Sequence, residues 1–251
     1  MIFYFSATGN SKHVAEKAAK ELGTTVVDIV KCLDNDELEY NFRENETVGI
    51  VTPTYFWGIP KIVREFLEKI KIQGQSYLFF IATYGTTTGQ SGKMADDILH
   101  KNGINFDAMF SVKMPDVWTP IFDLSNKEKV KLINEKAEVE IGKVIEEIKN
   151  CAKGNRTKNR IPMLAVRIYY STYKSHGKTS HFVVDDSCIG CQLCEKKCPA
   201  KAIEMKDNKP VWVKEHCIMC LGCLHRCPKF AIQYGKNTKK HGQYLNPYTR
   251  V

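Results

Sequence analysis

Along the first 150 residues, short runs of apolar, β-branched and aromatic side chains alternate with longer stretches whose apolar positions recur every three or four residues. The short runs fit buried strands, and the longer period fits helices with one face turned inward. On that pattern residues 2–5, 25–30, 48–52, 77–83 and 106–114 predict strands, and residues 10–22, 60–70, 91–102 and 125–150 predict helices. Residues 34–46 are acidic and weakly periodic, which fits a loop or a short helix. Strands alternating with helices imply an α/β fold, a doubly wound five-stranded parallel sheet with ligands at the carboxyl ends of its strands. Chemistry is therefore expected in the loops after the first, third and fourth strands.

The pattern changes at residue 151. Residues 151–182 carry seven Lys or Arg and no Asp or Glu, opening on Gly154-Asn155-Arg156-Thr157, and a short helix is expected after Pro162. This stretch reads as a basic linker packed on either neighbour. Residues 183–251 form a second, smaller α+β unit, with the apolar segments 202–205 and 211–213 flanking a polar hairpin turn. The basic tail from Lys236 reads as a loosely packed end.

Composition narrows the classes. With 26% charged residues and a mean hydropathy of −0.32, no stretch approaches the run of about 20 apolar residues that spans a bilayer. The amino terminus has no basic segment before its five apolar residues, so a cytoplasmic location is expected. Eight of the ten cysteines lie between Cys188 and Cys227, which points to metal binding in a reducing compartment rather than to disulfides. Cys32 and Cys151 lie outside that group and read as incidental thiols. The net charge of +9 counts every cysteine as neutral, so thiolate-bound metal and a bound phosphate would remove much of it. Nucleic acid is not an expected partner.

Ser6-Ala7-Thr8-Gly9-Asn10-Ser11 follows the first strand and opens a helix, placing hydroxyls and backbone amides at a helix amino terminus. The turn lacks the lysine of a P-loop and the three glycines of a dinucleotide fingerprint, which leaves a monophosphate. The loop after the third strand carries Pro53, Thr54 and three consecutive aromatics, Tyr55, Phe56 and Trp57, before Gly58. The loop after the fourth strand runs Thr83-Tyr84-Gly85-Thr86-Thr87-Thr88-Gly89. Residues 114–118 follow the fifth strand, where ordinary packing is the simpler expectation.

The segment CIGCQLCEKKCP from Cys188 recurs as CIMCLGCLHRCP from Cys217. Each reads C-x2-C-x2-C-x3-C-P, and residues 183–235 resemble a bacterial two-cluster ferredoxin. The resemblance implies that Cys188, Cys191, Cys194 and Cys227 hold one 4Fe-4S cluster, and that Cys217, Cys220, Cys223 and Cys198 hold the second. A four-cysteine zinc site is the competing reading of such pairs.

The hexapeptide at Ser6 resembles the flavodoxin phosphate loop, and the other two loops follow in that family's order. The resemblance implies FMN, with its phosphate on Ser6, Thr8, Ser11 and Asn10, with Trp57 and Tyr84 bracketing its ring, and with the Gly58 peptide near its N5. The whole chain resembles fusions, found in anaerobes, of a flavodoxin-like domain (1–150) with a two-cluster ferredoxin (183–251). That implies an electron-transfer protein working with a redox partner, either as an FMN-dependent oxidoreductase or as a shuttle docking onto a larger reductase.

Overall fold

The computed structural model describes residues 1–43, 46–74, 76–173 and 177–251. Its first half is built on strands β1 (Ile2–Tyr4), β2 (Val26–Asp28), β3 (Glu39–Asn41), β4 (Thr47–Pro53), β5 (Lys71–Gln73), β6 (Tyr77–Tyr84), β7 (Ala108–Lys113) and β8 (Gly154–Asn155). Six of these form one parallel sheet in the order β2-β1-β4-β6-β7-β8, and β3 pairs with β5 in a small ribbon beside it.

The main sheet thus has six strands rather than the expected five. The sixth, β8, is two residues of the basic linker, too short and too polar to announce itself by periodicity. Backbone bonds hold it, Gly154 N–H to the Asp107 carbonyl at 2.8 Å and Arg156 N–H to the Met109 carbonyl at 2.7 Å.

Alternation along β6 divides the core. Leu78, Phe80 and Ala82 point to one face, where helices α3 (Lys61–Lys69) and α4 (Ser91–His100) bury Val63, Phe66, Leu67, Ala95 and Leu99. Phe79 and Ile81 point to the other, covered by α1 (Asn10–Glu21) and α5 (Lys127–Lys149) through Val14, Ala18, Ile141 and Ile145. Both faces are buried, which is why the run reads as continuously apolar. Gly49 on β4 is required by this packing, since a Cβ there would lie 2.2 Å from the Phe79 ring.

The strand expected over 25–30 ends at Asp28, whose carboxylate accepts the Val30 N–H at 2.9 Å and caps helix α2 (Ile29–Asn35). Part of the acidic stretch is therefore helix and part is β3. Residues 44 and 45 of that stretch lie outside the described residues.

The linker is a brace. It runs beside β7, with Lys158 N–H on Ser111 Oγ at 3.0 Å, and then forms helix α6 (Met163–Ser171). In the second half, β9 (Phe182–Val184) pairs antiparallel with β12 (Ile232–Tyr234). The expected hairpin is β10 (Ile203–Lys206) and β11 (Lys209–Trp212), turned by Asp207 and Asn208 at φ of 48° and 60°. Short helices α7 (Leu193–Lys196), α8 (Gly222–Arg226) and α9 (Thr238–His241) complete it. The tail is not loose: Tyr244 is 5% and Asn246 3% exposed, packed back against the first half.

Candidate functional site

The cysteine repeats build two cavities. One is lined by Cys188, Cys191, Cys194 and Cys227, the other by Cys198, Cys217, Cys220 and Cys223, so each set borrows its fourth thiol from the other repeat. Each set thus gathers four thiols around one cavity, a donor set and volume that fit a polynuclear iron-sulfur cluster.

The backbone repeats as the cysteines do. Gly190, Gln192 and Lys201 in the first segment take φ of 64°, 64° and 46°, and their counterparts Met219, Leu221 and Phe230 take 53°, 52° and 50°. Left-handed conformation costs non-glycine residues about 1–2 kcal/mol each, and here it turns amides toward sulfur. Ala202 N–H points at Cys198 Sγ at 3.4 Å, and its counterpart Ala231 N–H at Cys227 Sγ at 3.3 Å. Amides aimed at sulfur in this way suit a metal-bound sulfur that accepts them. Burial pushes the Cys194 thiol up to about 11 and Cys217 up to about 12. Iron binding at these thiols would therefore release protons.

The two sets differ in depth. Ile189 and Gln192 are exposed beside the first set, whereas their counterparts Ile218 and Leu221 are buried beside the second. Ile218 joins the core of the parallel sheet, and half-buried Tyr55 and Cys220 pack against that same core. The second set is thus the inner one.

Three loops meet at the carboxyl ends of β1, β4 and β6. In the first, Gly9 caps α1 with φ of 99° and no side chain caps the helix. Ser6 Oγ accepts the Gly9 N–H at 3.1 Å. Thr8 is buried, and the Ser11 hydroxyl is 2.7 Å from that of Thr83, tying the first loop to the third. The Asn10 side chain is spent internally: its oxygen accepts from Tyr244 at 2.8 Å and from Asn246 at 3.1 Å, and its nitrogen donates to the Pro115 carbonyl.

In the second loop, reciprocal backbone bonds between Tyr55 and Gly58 close a tight turn with Phe56 and Trp57 at φ of 49° and 61°. The aromatic rings consequently diverge. Tyr55 meets Phe5 edge-on and faces the inner cysteine set, Phe56 stacks on Tyr173 at 4.4 Å, and Trp57 lies 4.3 Å from the ring of Tyr169. The Trp57 carbonyl accepts the Gln90 N–H at 2.9 Å, a bond that a flip of the Gly58 peptide would break. Thr54 Oγ1, buried at the turn's start, has no partner among the described residues.

In the third loop, the Tyr84 hydroxyl accepts from Asn159 of the linker at 3.1 Å. Gly89 lies so close to Trp57 that a Cβ would sit 1.9 Å from its carbonyl oxygen. Gly85 faces Asp116, whose carboxyl is raised by burial and is held by the Trp118 N–H at 3.2 Å and the Thr86 hydroxyl. Residues 114–118 therefore do border the crevice, and Asp116 brings an acid to it that the loop sequences do not contain.

Helix α8 carries the inner set to these loops. Arg226 donates to the Ser6 carbonyl at 3.3 Å and to Lys197 at 3.2 Å. His225, lowered by burial to about 4 and so neutral, donates from Nε2 to the Val117 carbonyl at 2.8 Å and accepts Tyr244 N–H at Nδ1. A hydroxyl-lined helix start without a side-chain cap, and an orphaned Thr54 hydroxyl beside it, fit a phosphorylated flavin. The crossed cysteine sets fit clusters.

A family model for a flavodoxin domain matches residues 1–140, and one for a 4Fe-4S dicluster domain matches residues 187–232. A comparison with curated protein sequences gives no match. Among solved structures, Trp repressor binding protein from Bacillus subtilis is similar at 14% identity and a TM-score of 0.33, over 45% of this chain and 84% of that one. Rubredoxin oxygen:oxidoreductase from the anaerobe Desulfovibrio gigas is similar at 20% identity and a TM-score of 0.31, over 57% of this chain and 35% of that one.

Proposed function

The chain belongs to the flavodoxin-domain family and carries a 4Fe-4S domain, and from that premise we propose that this electron-transfer flavo-iron-sulfur protein relays electrons between two 4Fe-4S clusters and one FMN. When bound, the clusters supply one-electron steps and the flavin accepts one or two electrons, so the relay serves an oxidoreductase that interconverts the two. Ser6, Thr8 and the amides opening α1 bind the phosphate, while the Ser11 hydroxyl, expected there too, is taken up by Thr83. Asn10 contributes by holding the loop rather than by donating. Pro53, Thr54, Trp57, Gly58, Thr83, Tyr84, Gly85, Thr86 and Gly89 shape the ring site, and Tyr55 and Phe56 form its wall toward the clusters.

The observation that carries this reading is the depth order of the cysteine sets. The inner set packs behind Tyr55, on the aromatic loop itself, and the outer set opens toward solvent at Cys191. Bound there, the groups would lie in the order outer cluster, inner cluster, flavin, with the outer set open to a redox partner. Residues 1–150 form the flavin domain, 183–251 the cluster domain, and 151–182 the brace between them. Among the described residues no helix is long and apolar enough to cross a membrane.

A shuttle on a larger reductase is favoured by one feature, the outer face of α6, where Leu164 is 73% and Ile168 64% exposed beside Arg167. Anaerobic isolation tests the proposal. The chain should hold about eight iron and eight sulfide with one FMN, and zinc without sulfide would overturn it. Turnover of small acceptors by the isolated chain separates enzyme from shuttle.

A further inference from the structure

The tail after α9 crosses back from the cluster half to the phosphate loop. Gln243 Nε2 donates to the carbonyls of Leu224 at 2.7 Å and Cys227 at 2.8 Å, and Tyr244 N–H donates to His225. These bonds seat the segment on α8. Two residues on, Asn246 N–H donates to the Thr8 carbonyl at 2.8 Å, and Asn246 Nδ2 to Asn10 Oδ1 at 3.1 Å. The Tyr244 hydroxyl donates to Asn10 Oδ1 at 2.8 Å and lies 3.0 Å from the amide of Asn134 on α5.

The fit is close at Gly9. A Cβ there would lie 2.9 Å from both Asn246 Cβ and Val251 Cγ2, so the tail rests directly on the loop backbone. Farther out, Thr249 donates to Glu16, and Tyr248 lies 5.1 Å from the His13 ring. Both acceptor positions of the Asn10 oxygen are filled by the tail. The Asn10 side chain, which anchors the first residue of α1 to the Pro115 carbonyl, is therefore held by residues more than 230 positions away, and the turn itself is held there through the Thr8 carbonyl.

We propose that Tyr244 and Asn246 are positioning residues of the phosphate site, holding Asn10 so that the turn is preformed, and that FMN binding consequently depends on the cluster half of the chain. This rests on reading the turn as a phosphate site. A turn held in its bound shape avoids an ordering cost on binding. By reciprocity, FMN strengthens the seat of the tail on α8, next to the inner cluster.

Titration of the full, cluster-loaded chain with FMN and with riboflavin tests this. Removing one buried hydroxyl changes an equilibrium by roughly 5- to 10-fold, so Tyr244→Phe should weaken FMN by about that factor and leave riboflavin, which has no phosphate, unchanged. Tyr248→Phe should match wild type. In an Asn10→Ala background Tyr244→Phe should have little further effect, because both act through the same side chain. Equal FMN affinity in wild type and Tyr244→Phe, equal loss for FMN and riboflavin, or additive effects with Asn10→Ala would overturn the inference while leaving the phosphate reading standing. Failure of the wild-type chain to bind FMN would overturn both.

Discussion

Tyr173 joins three parts of the molecule, and its replacement tests whether the halves form one energetic unit. The side chain is 1% exposed, its hydroxyl donates to the Ile218 carbonyl at 2.6 Å, and its ring stacks on Phe56 at 4.4 Å with Lys61 Nζ 4.5 Å from its centroid. Tyr173→Phe keeps the ring and strips the buried Ile218 carbonyl of this donor, a loss of about 1–3 kcal/mol. Tyr173→Ala also removes the ring, for roughly 3–5 kcal/mol. With a urea slope of about 1–3 kcal/mol/M, the Phe variant should lower the unfolding midpoint by about 0.5–1 M and the Ala variant by about twice that. Anaerobic unfolding followed by cluster absorbance and tryptophan fluorescence reads both halves at once, and the two signals should shift together. A Phe variant matching wild type, or a shift in one signal alone, would refute the account of this junction.

Three further outcomes follow from the geometry. Cys227→Ser should damage the outer cluster and Cys198→Ser the inner one, read by EPR of the reduced protein; damage confined to the same repeat would contradict the crossed sets. Gly89→Ala combines φ of 54° with a Cβ 1.9 Å from the Trp57 carbonyl, whereas Gly23→Ala has φ of 63° and open space. The first should therefore cost at least about 2 kcal/mol more than the second, which bears only the left-handed penalty of roughly 1–2 kcal/mol, and equal melting temperatures would refute the close approach. Burial raises the Asp116 carboxyl, so the folded state binds its proton more tightly than the unfolded chain does and this group weakens the fold as pH rises through the carboxylate range. Asp116→Asn should be more stable than wild type at pH 7.5 and lose that advantage near pH 3.5, and an Asn variant less stable at pH 7.5 would reject this.

What was legible in the sequence was local. The runs of β4 and β6 are buried on both faces, so apolar residues are continuous there and the strands read directly. The cysteine repeats are legible because consecutive ligands of one cluster must lie within a few residues of each other. The hydroxyl-rich turn at Ser6–Ser11 shows for the same reason, since a helix start and its hydroxyls occupy six consecutive positions. β2 ends before its apolar run does because Asp28 serves as a helix cap, and β8 leaves no pattern because its two polar residues pair only through backbone. Directions were not legible either: three adjacent aromatics announce a site, but two left-handed residues decide that Tyr55 and Phe56 face the clusters. Tyr244 and Asn246 sit in a polar tail with no periodicity, and only the folded chain brings them to Asn10.

Whether electrons run from clusters to flavin within one chain is decided by following their internal transfer. The anaerobic holoprotein is mixed with a low-potential one-electron reductant, and cluster and flavin absorbance are followed at several protein concentrations. The clusters should bleach first, and the flavin should follow at a rate independent of protein concentration, through the inner set behind Tyr55. Flavin reduction that proceeds only as fast as it does in a chain stripped of its clusters, or that scales with protein concentration, would contradict the relay.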